Sequence, residues 1–272
     1  MLAALLITFR EGLEAALIVG IVLAVLRRTG RAEWRAAVWW GVAAAAALSL
    51  VAGLALYAVG AEMEGRAEEI FEGSAMLLAA GFLTWMIFWM QGQGRRIKEQ
   101  LEAETQRALT GGQRRGLFSL ALVAVGREGF ETVLFMSAIA FAESGTTALI
   151  GGAIGLAAAI GLGWLLFAAS ARLEVRRFFQ ATSLMLVVVA AGLVAHGMHE
   201  FQEAGLLPVV IEHVWDINPV LDEGSVVGAL LKSLFGYNGN PSLIEVASYL
   251  AFYGVVGVAF WRRRTLATTR PA

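Results

Sequence analysis

The sequence predicts an all-α, polytopic integral membrane protein with seven transmembrane helices, and three observations carry that reading. Of its 272 residues, 58% are hydrophobic and 16% charged, against about 45–50% apolar and about 25% charged in soluble domains. Seven apolar stretches reach the roughly 20 residues that a helix needs to cross a hydrocarbon core. The linkers between these stretches alternate between arginine-rich and arginine-poor.

The predicted spans are 2–26, 36–59, 68–90, 117–141, 146–169, 178–199 and 243–261. The first lacks a basic start and carries charges of its own, so it reads as a retained helix and not as a cleaved signal. Seventeen of the 21 lysines and arginines fall in four alternate linkers, those after spans one, three, five and seven. Basic linkers stay cytoplasmic, which places the N-terminus outside and the C-terminus in the cytoplasm. Trp34, Trp39, Trp40, Trp89 and Trp261 fall near the cytoplasmic ends, as an interfacial aromatic belt would. A net charge of −1 gives no reason to expect a nucleic-acid partner, and the absence of cysteine excludes disulfides and thiolate metal sites.

Two of the seven spans contain charges at their centres. "FREGLEAAL" spans residues 9–17 and "GREGFETVL" residues 126–134, 117 residues apart. The first lies in a span running inward and the second in one running outward. A similar motif in opposite orientations predicts a three-plus-three inverted repeat: repeat one over 1–90, repeat two over 117–199, and a seventh helix at 243–261. "FEGSAML" at 71–77 and "FQATSLM" at 179–185 echo it. The whole chain, 1–272, then forms a single transmembrane domain of a kind typical of secondary transporters. Each motif lies about ten residues into its span, roughly 15 Å at the helical rise, near the bilayer centre.

Glu11 and Glu14 share a helix face, with Arg10 one turn from Glu14, and Glu128, Glu131 and Arg127 repeat the arrangement. Central ionisable residues cost about 2.5–3.5 kcal/mol each, so six cost roughly 15–20 kcal/mol without partners. Two readings follow. In the structural one, Arg10 pairs with Glu14 and Arg127 with Glu131, which leaves Glu11 and Glu128 without balancing charge. In the functional one, four carboxylates less two guanidinium groups leave −2, and all-oxygen ligation suits a hard di- or trivalent cation. Gly12 and Gly129 are expected to let the two motif helices approach closely.

"REGLE" at 10–14 and "REGFE" at 127–131 resemble the Arg-Glu-Gly-x-Glu signature of the oxidase-dependent iron transporters, the high-affinity iron permeases of fungi and their bacterial EfeU-type counterparts. That family carries the signature in the first and fourth of seven spans. The resemblance implies a permease, not an enzyme, in the bacterial cytoplasmic (inner) membrane. It implies ferric iron, delivered by a separate oxidase and moved inward through a midplane carboxylate site. Glu11, Glu14, Glu128 and Glu131 would carry iron, supported by Arg10 and Arg127. Iron would be a transported substrate and not a prosthetic group, and the partners would be extracytoplasmic iron-oxidising or iron-binding proteins and the lipid bilayer. The external Asp-Ala-Ser-Glu motif of fungal members is not found here, so their outer admission point does not carry over. "HEFQEAG" at 199–205 and "FGYNGNPSL" at 235–243 look like the bacterial branch.

Further charged groups are candidates for the path or its outer mouth. Glu72 is the deepest of three glutamates opening span three. His196, His199, Glu200 and Glu203 cluster at i+3 and i+4 spacings at the outer end of span six. The plainer readings are a helix start favoured by the dipole and a polar helix end bonded to the next loop. The long external loop at 204–242 holds "LDEGSVVGALLKSLFGY", an amphipathic helix expected to start near Asp222 and stop at Gly236. "RIKEQLEAETQRAL" at 96–109 reads as a soluble cytoplasmic helix without chemistry. Trp85 and Met86 read as packing.

Two other functions stay open on the residues alone. One is a membrane-embedded, carboxylate-bridged metal oxidase, although the Glu-x-x-His pattern of ferritin-like di-iron sites occurs nowhere in the chain. The other is a transporter of another divalent metal or of protons. The orientation can be checked by labelling single cysteines with an impermeant thiol reagent. Cysteines at 203–242 should label in intact cells and those at 95–115 should not; labelling of the latter group from outside would overturn the topology.

Overall fold

A computed structural model describes the backbone of residues 1–90, 94–110, 114–168 and 175–268, and the side chains within these except at 94–98, 166–168, 175–179 and 263–268. Arg95, Arg96, Lys98, Arg172, Arg176, Arg177, Arg263, Arg264 and Arg270, nine of the basic linker residues, therefore lie outside the described side chains. Among the described residues the chain is all-α. The helices are α1 (Leu2–Arg28), α2 (Arg35–Ala61), α3 (Arg66–Met90), α4 (Gly94–Thr110), α5 (Arg114–Ala142), α6 (Gly145–Ala168), α7 (Val175–Glu203), α8 (Val226–Phe235) and α9 (Leu243–Thr268), with a 3-10 turn at Ala32–Trp34.

Five helical stretches are long and apolar enough to cross a membrane: Ala32–Ala61, Arg66–Met90, Gly145–Leu165, Gln180–Glu203 and Leu243–Arg262. The two remaining long helices, α1 and α5, carry the motif charges. Local chemistry fixes several ends. Arg27 and Arg28 sit in the last turn of α1, where cations oppose the negative end of the dipole, and Glu68 and Glu69 sit in the first turn of α3. The Oγ of Ser225 accepts the Gly228 N–H at 3.0 Å and starts α8. That start is three residues later than expected, because Asp222 instead turns the chain through the Gly224 N–H at 2.7 Å. Gly236, left-handed at φ 64°, stops α8 where expected.

The chain divides into two compact units. Unit 1 holds Met1–Glu62 and Ile87–Leu184, and unit 2 holds Met63–Met86 and Met185–Ala272. In unit 1, α1 packs on α6, α2 packs on α5, and α1 also packs on α5. Each motif helix thus lies against the second helix of the other half of the sequence. Small residues every fourth position make this possible: Gly151, Gly155, Ala159 and Gly163 on α6, and Gly41, Ala45, Ser49 and Gly53 on α2. A Cβ at Gly163 would stand 2.8 Å from Ala16 Cβ, and one at Gly155 would meet the Thr8 hydroxyl and the backbone of Leu5 and Phe9.

The motif glycines serve these contacts and not the approach of α1 to α5, which corrects the expectation above. A Cβ at Gly12 would stand 2.8 Å from Ala159 Cβ on α6, and one at Gly129 would meet the Ser49 hydroxyl on α2. The reason is angular: Gly12 is turned about 100° from Glu11 and so leaves the carboxylate face.

Unit 1 also holds α4. Its Leu101 and Thr105 are buried, and Leu101 packs with Val22 and Leu26 of α1, Trp34, and Leu117 of α5. The helix read as soluble is thus docked along one side. Trp39, Trp40 and Trp261 are exposed as a belt requires, but Trp34 is buried in this cluster with the Arg31 guanidinium 5.1 Å above its ring. Met86 is buried packing as expected, whereas Trp85 is exposed. In unit 2, α3 and α7 cross at Gly73 and Gly197, where each glycine faces the other's carbonyl. Gly236 at the end of α8 packs its backbone against that of Gly192 on α7.

The α1–α6 contact yields a test. Gly155→Ala should lower the thermal midpoint in detergent by the equivalent of about 1–3 kcal/mol, since the added methyl meets backbone. Gly161→Ala, with nothing within 4 Å of its Cβ, should leave it unchanged or raise it by the propensity gain. Scanning fluorimetry checks both, and equal midpoints would refute the close packing.

Candidate metal site

Each motif arginine brackets two carboxylates of its own helix. Arg10 Nη1 lies 2.7 Å from Glu11 Oε1, and Nη2 lies 2.8 Å from Glu14 Oε1. In α5, Arg127 Nη2 lies 2.6 Å from Glu128 Oε1 and Nε 3.5 Å from Glu131 Oε1. The planar guanidinium has donors on two edges, so one arginine can hold the neighbours at i+1 and i+4 together. The structural reading from sequence, in which Glu11 and Glu128 go unbalanced, is corrected accordingly: they form the shorter pair in each helix.

The same carboxylates also converge across helices. One ligand oxygen from each of Glu11, Glu128 and Glu131 lies within 4.8 Å of the others, and all three residues are buried. Among the described residues this is the one group of three His, Cys, Asp or Glu side chains that closes on a common point. Glu14 stands outside the trio, against Arg10. One oxygen of each leading glutamate is held by its arginine, while Glu11 Oε2 and Glu128 Oε2 are buried with no hydrogen-bond partner among the described residues. An ionised oxygen left bare in this way is costly. Two such oxygens, beside a third buried carboxylate, make a donor set that a hard cation would satisfy.

The two halves of the site are not equivalent. The Arg10 side chain is 0% exposed and that of Arg127 is 49% exposed. The last turn of α3 reaches both: the Arg127 guanidinium lies 5.4 Å from the centre of the Trp89 ring, and Arg10 Nη2 is bonded to the Met90 sulfur. Trp89, half-buried, is therefore a neighbour of a motif arginine. Nothing local in the sequence signals these contacts, which join residues 38 and 80 positions apart.

The outer candidates lie in unit 2. Glu72 is half-buried beside the Gly73–Gly197 crossing. His196 Nδ1 donates to the Gly192 carbonyl at 3.2 Å. Both ring nitrogens of His199 meet carboxylates, Nδ1 with Glu245 at 3.0 Å and Nε2 with Glu203 at 3.2 Å; Glu200 is half-buried on the same stretch of α7. Glu245 went unnoticed in the sequence, although Ser242-x-x-Glu245 before an apolar run is a helix-start pattern. Here Glu245 Oε1 accepts the Ser242 N–H at 3.0 Å, Ser242 Oγ accepts the Glu245 N–H at 3.3 Å, and Glu245 Oε2 accepts from Asn238 at 2.8 Å. The Ser242 hydroxyl also donates to Gln202 at 2.6 Å. The stretches at 199–205 and 235–243 thus form one network at the start of α9.

A protein-family model described as "Iron permease FTR1 family" matches residues 1–267. A curated protein of Escherichia coli O6:K15:H31 (strain 536 / UPEC), named "Ferrous iron permease EfeU", is 40% identical over 257 residues, covering 94% of this chain and 93% of its own. One of the same name from Yersinia pestis is 39% identical over 249 residues, covering 91% and 88%. No solved structure matches.

The difference in burial predicts unequal costs for losing the two arginines. Arg10→Met strands Glu11 and Glu14 in the interior and should destabilise by about 3–5 kcal/mol, the cost of breaking a buried pair. Arg127→Met starts from a half-exposed guanidinium and should cost clearly less. Thermal midpoints of the two variants in mild detergent check this; equal losses would refute the inequality of the halves.

Proposed function

The chain belongs to the iron permease FTR1 family, and from that premise we propose that it carries iron inward across the bacterial cytoplasmic membrane through the carboxylate site between α1 and α5. A permease of this family is a transporter and not an enzyme, so the oxidase alternative falls. The observation that carries the site is the convergence of Glu11, Glu128 and Glu131 from both motif helices, with buried oxygens unsatisfied. Glu14 completes the ligand set when its arginine yields it, and Arg10 and Arg127 hold the carboxylates together while no ion is bound. Glu72, His196, His199, Glu200 and Glu203 are the proposed path or entry residues.

The proposed architecture is one permease domain over 1–272. It has seven spans in a three-plus-three inverted repeat plus one, N-terminus outside and C-terminus in the cytoplasm. Three observations support it. The seven long helices fall on the seven predicted stretches. The small-residue rows of α2 and α6 recur 110 positions apart, each against the motif helix of the other half. Each unit draws equivalent helices from both halves, α1, α2, α5 and α6 in one and most of α3 with much of α7 in the other.

The cargo is proposed as ferric iron supplied by an extracytoplasmic oxidase, because an all-carboxylate donor set is hard. The relatives from Escherichia coli and Yersinia pestis carry the word ferrous in their names, which favours ferrous iron as a second reading. Proteoliposomes offered labelled iron under oxidising or reducing conditions separate the two. In the same assay Glu11→Gln, Glu14→Gln, Glu128→Gln and Glu131→Gln should each insert normally and lose most uptake. The Glu11/Glu128 double variant should be no worse than either single, since one missing ligand disables a shared site. Wild-type uptake by Glu11→Gln and Glu128→Gln would return the motif to a structural role.

A further inference from the structure

Two adjacent residues at the end of α3, outside either motif, touch the two motif arginines. Trp89 lies under the Arg127 guanidinium at 5.4 Å, and the Met90 sulfur accepts from Arg10 Nη2. All four residues belong to unit 1. The two contacts suit their arginines. Arg127 is half exposed and its longer pair, to Glu131, is 3.5 Å, so a ring face can restrain a guanidinium that its carboxylates hold unevenly. Indole is the best of the three aromatic faces for a cation. Arg10 is fully buried, where a thioether can accept a proton-bearing edge without adding charge.

We propose that Trp89 and Met90 are positioning residues that set both arginines at the carboxylate site, Trp89 holding Arg127 and Met90 holding Arg10. The assignment rests on the reading that the arginines serve the iron site. In that role a displaced guanidinium changes how the carboxylates are presented to the ion, so uptake should fall in one step between aromatic and aliphatic side chains at 89 and not in proportion to the volume removed. A residue that merely packs would follow volume.

The test is uptake of labelled iron, per inserted protein, by the full chain in proteoliposomes. Trp89→Phe and Trp89→Tyr keep a π face and should stay within about twofold of wild type, whereas Trp89→Leu should fall about fivefold or more. Met90→Leu, close in volume but without an acceptor, should lose about two- to threefold. Should Trp89→Leu fail to insert, Trp89→Met, also without a π face, carries the same expectation. Equal uptake by the Leu (or Met) and Phe variants, or wild-type uptake by Trp89→Leu, would overturn the proposal. Arg10→Lys and Arg127→Lys are run beside them: normal uptake by both would instead remove the reading of the arginines on which it rests.

Discussion

Six charges near the middle of two long helices, α1 and α5, are the constraint on which everything else depends. The structure meets it locally first, by placing one arginine before each pair of glutamates so that a single guanidinium brackets positions i+1 and i+4. Helix geometry makes this possible: i+4 lies one turn along the same face, and a long arginine can span the gap. Local pairing is incomplete by design of charge, since four carboxylates meet two arginines. The remainder gathers where Glu11, Glu128 and Glu131 converge. Buried carboxylates that repel one another and keep bare oxygens are costly, and either a proton or a bound cation would relieve them.

Convergence requires α1 and α5 to sit side by side in a medium that gives no hydrophobic push between helices. Packing must supply the attraction, and close packing requires small residues. The rows at Gly151, Gly155, Ala159 and Gly163 and at Gly41, Ala45, Ser49 and Gly53 supply it from the second helices. Each row seats one motif helix, and the two seated helices then present their carboxylates to one another. The motif glycines belong to this seating, so the five-residue pattern encodes two things at once: a charged face for the site and, about 100° around the helix, a bare face for the neighbour.

Much of this was legible beforehand. The positions of the long helices follow from apolar length, the stop of α8 from Gly236, and the pairing of carboxylates on each motif helix from the spacing of 11 and 14 and of 128 and 131. What was not legible involves distance in sequence or direction around a helix. Trp34 and Trp89 sit where an interfacial belt would put them, yet one is buried under α4 and the other lies at Arg127. The same residue type serves surface, core or a motif arginine according to the direction it faces, and periodicity in mixed apolar helices does not encode that. The small-residue rows were visible but unread, because alanine and glycine abound in every span and a four-residue spacing stands out only once a partner helix is known. Glu245 carried a pattern of its own at a helix start, and its further bond to His199 depended on two segments 46 residues apart.

Two motifs alike at four of five positions have different surroundings, and the proposed inversion would give that difference a direction. In a helix running inward, the arginine precedes its glutamates on the outer side; in one running outward, it precedes them on the inner side. With the proposed orientation, Arg10 flanks the carboxylates from outside and Arg127 from inside. Arg10 is wholly enclosed and Arg127 half exposed. A site reachable equally from both faces would be a pore, and carboxylates enclosed on both sides could exchange no ion. Under the proposed inversion each arginine would guard a different side, and their enclosure can differ while the carboxylates stay the same.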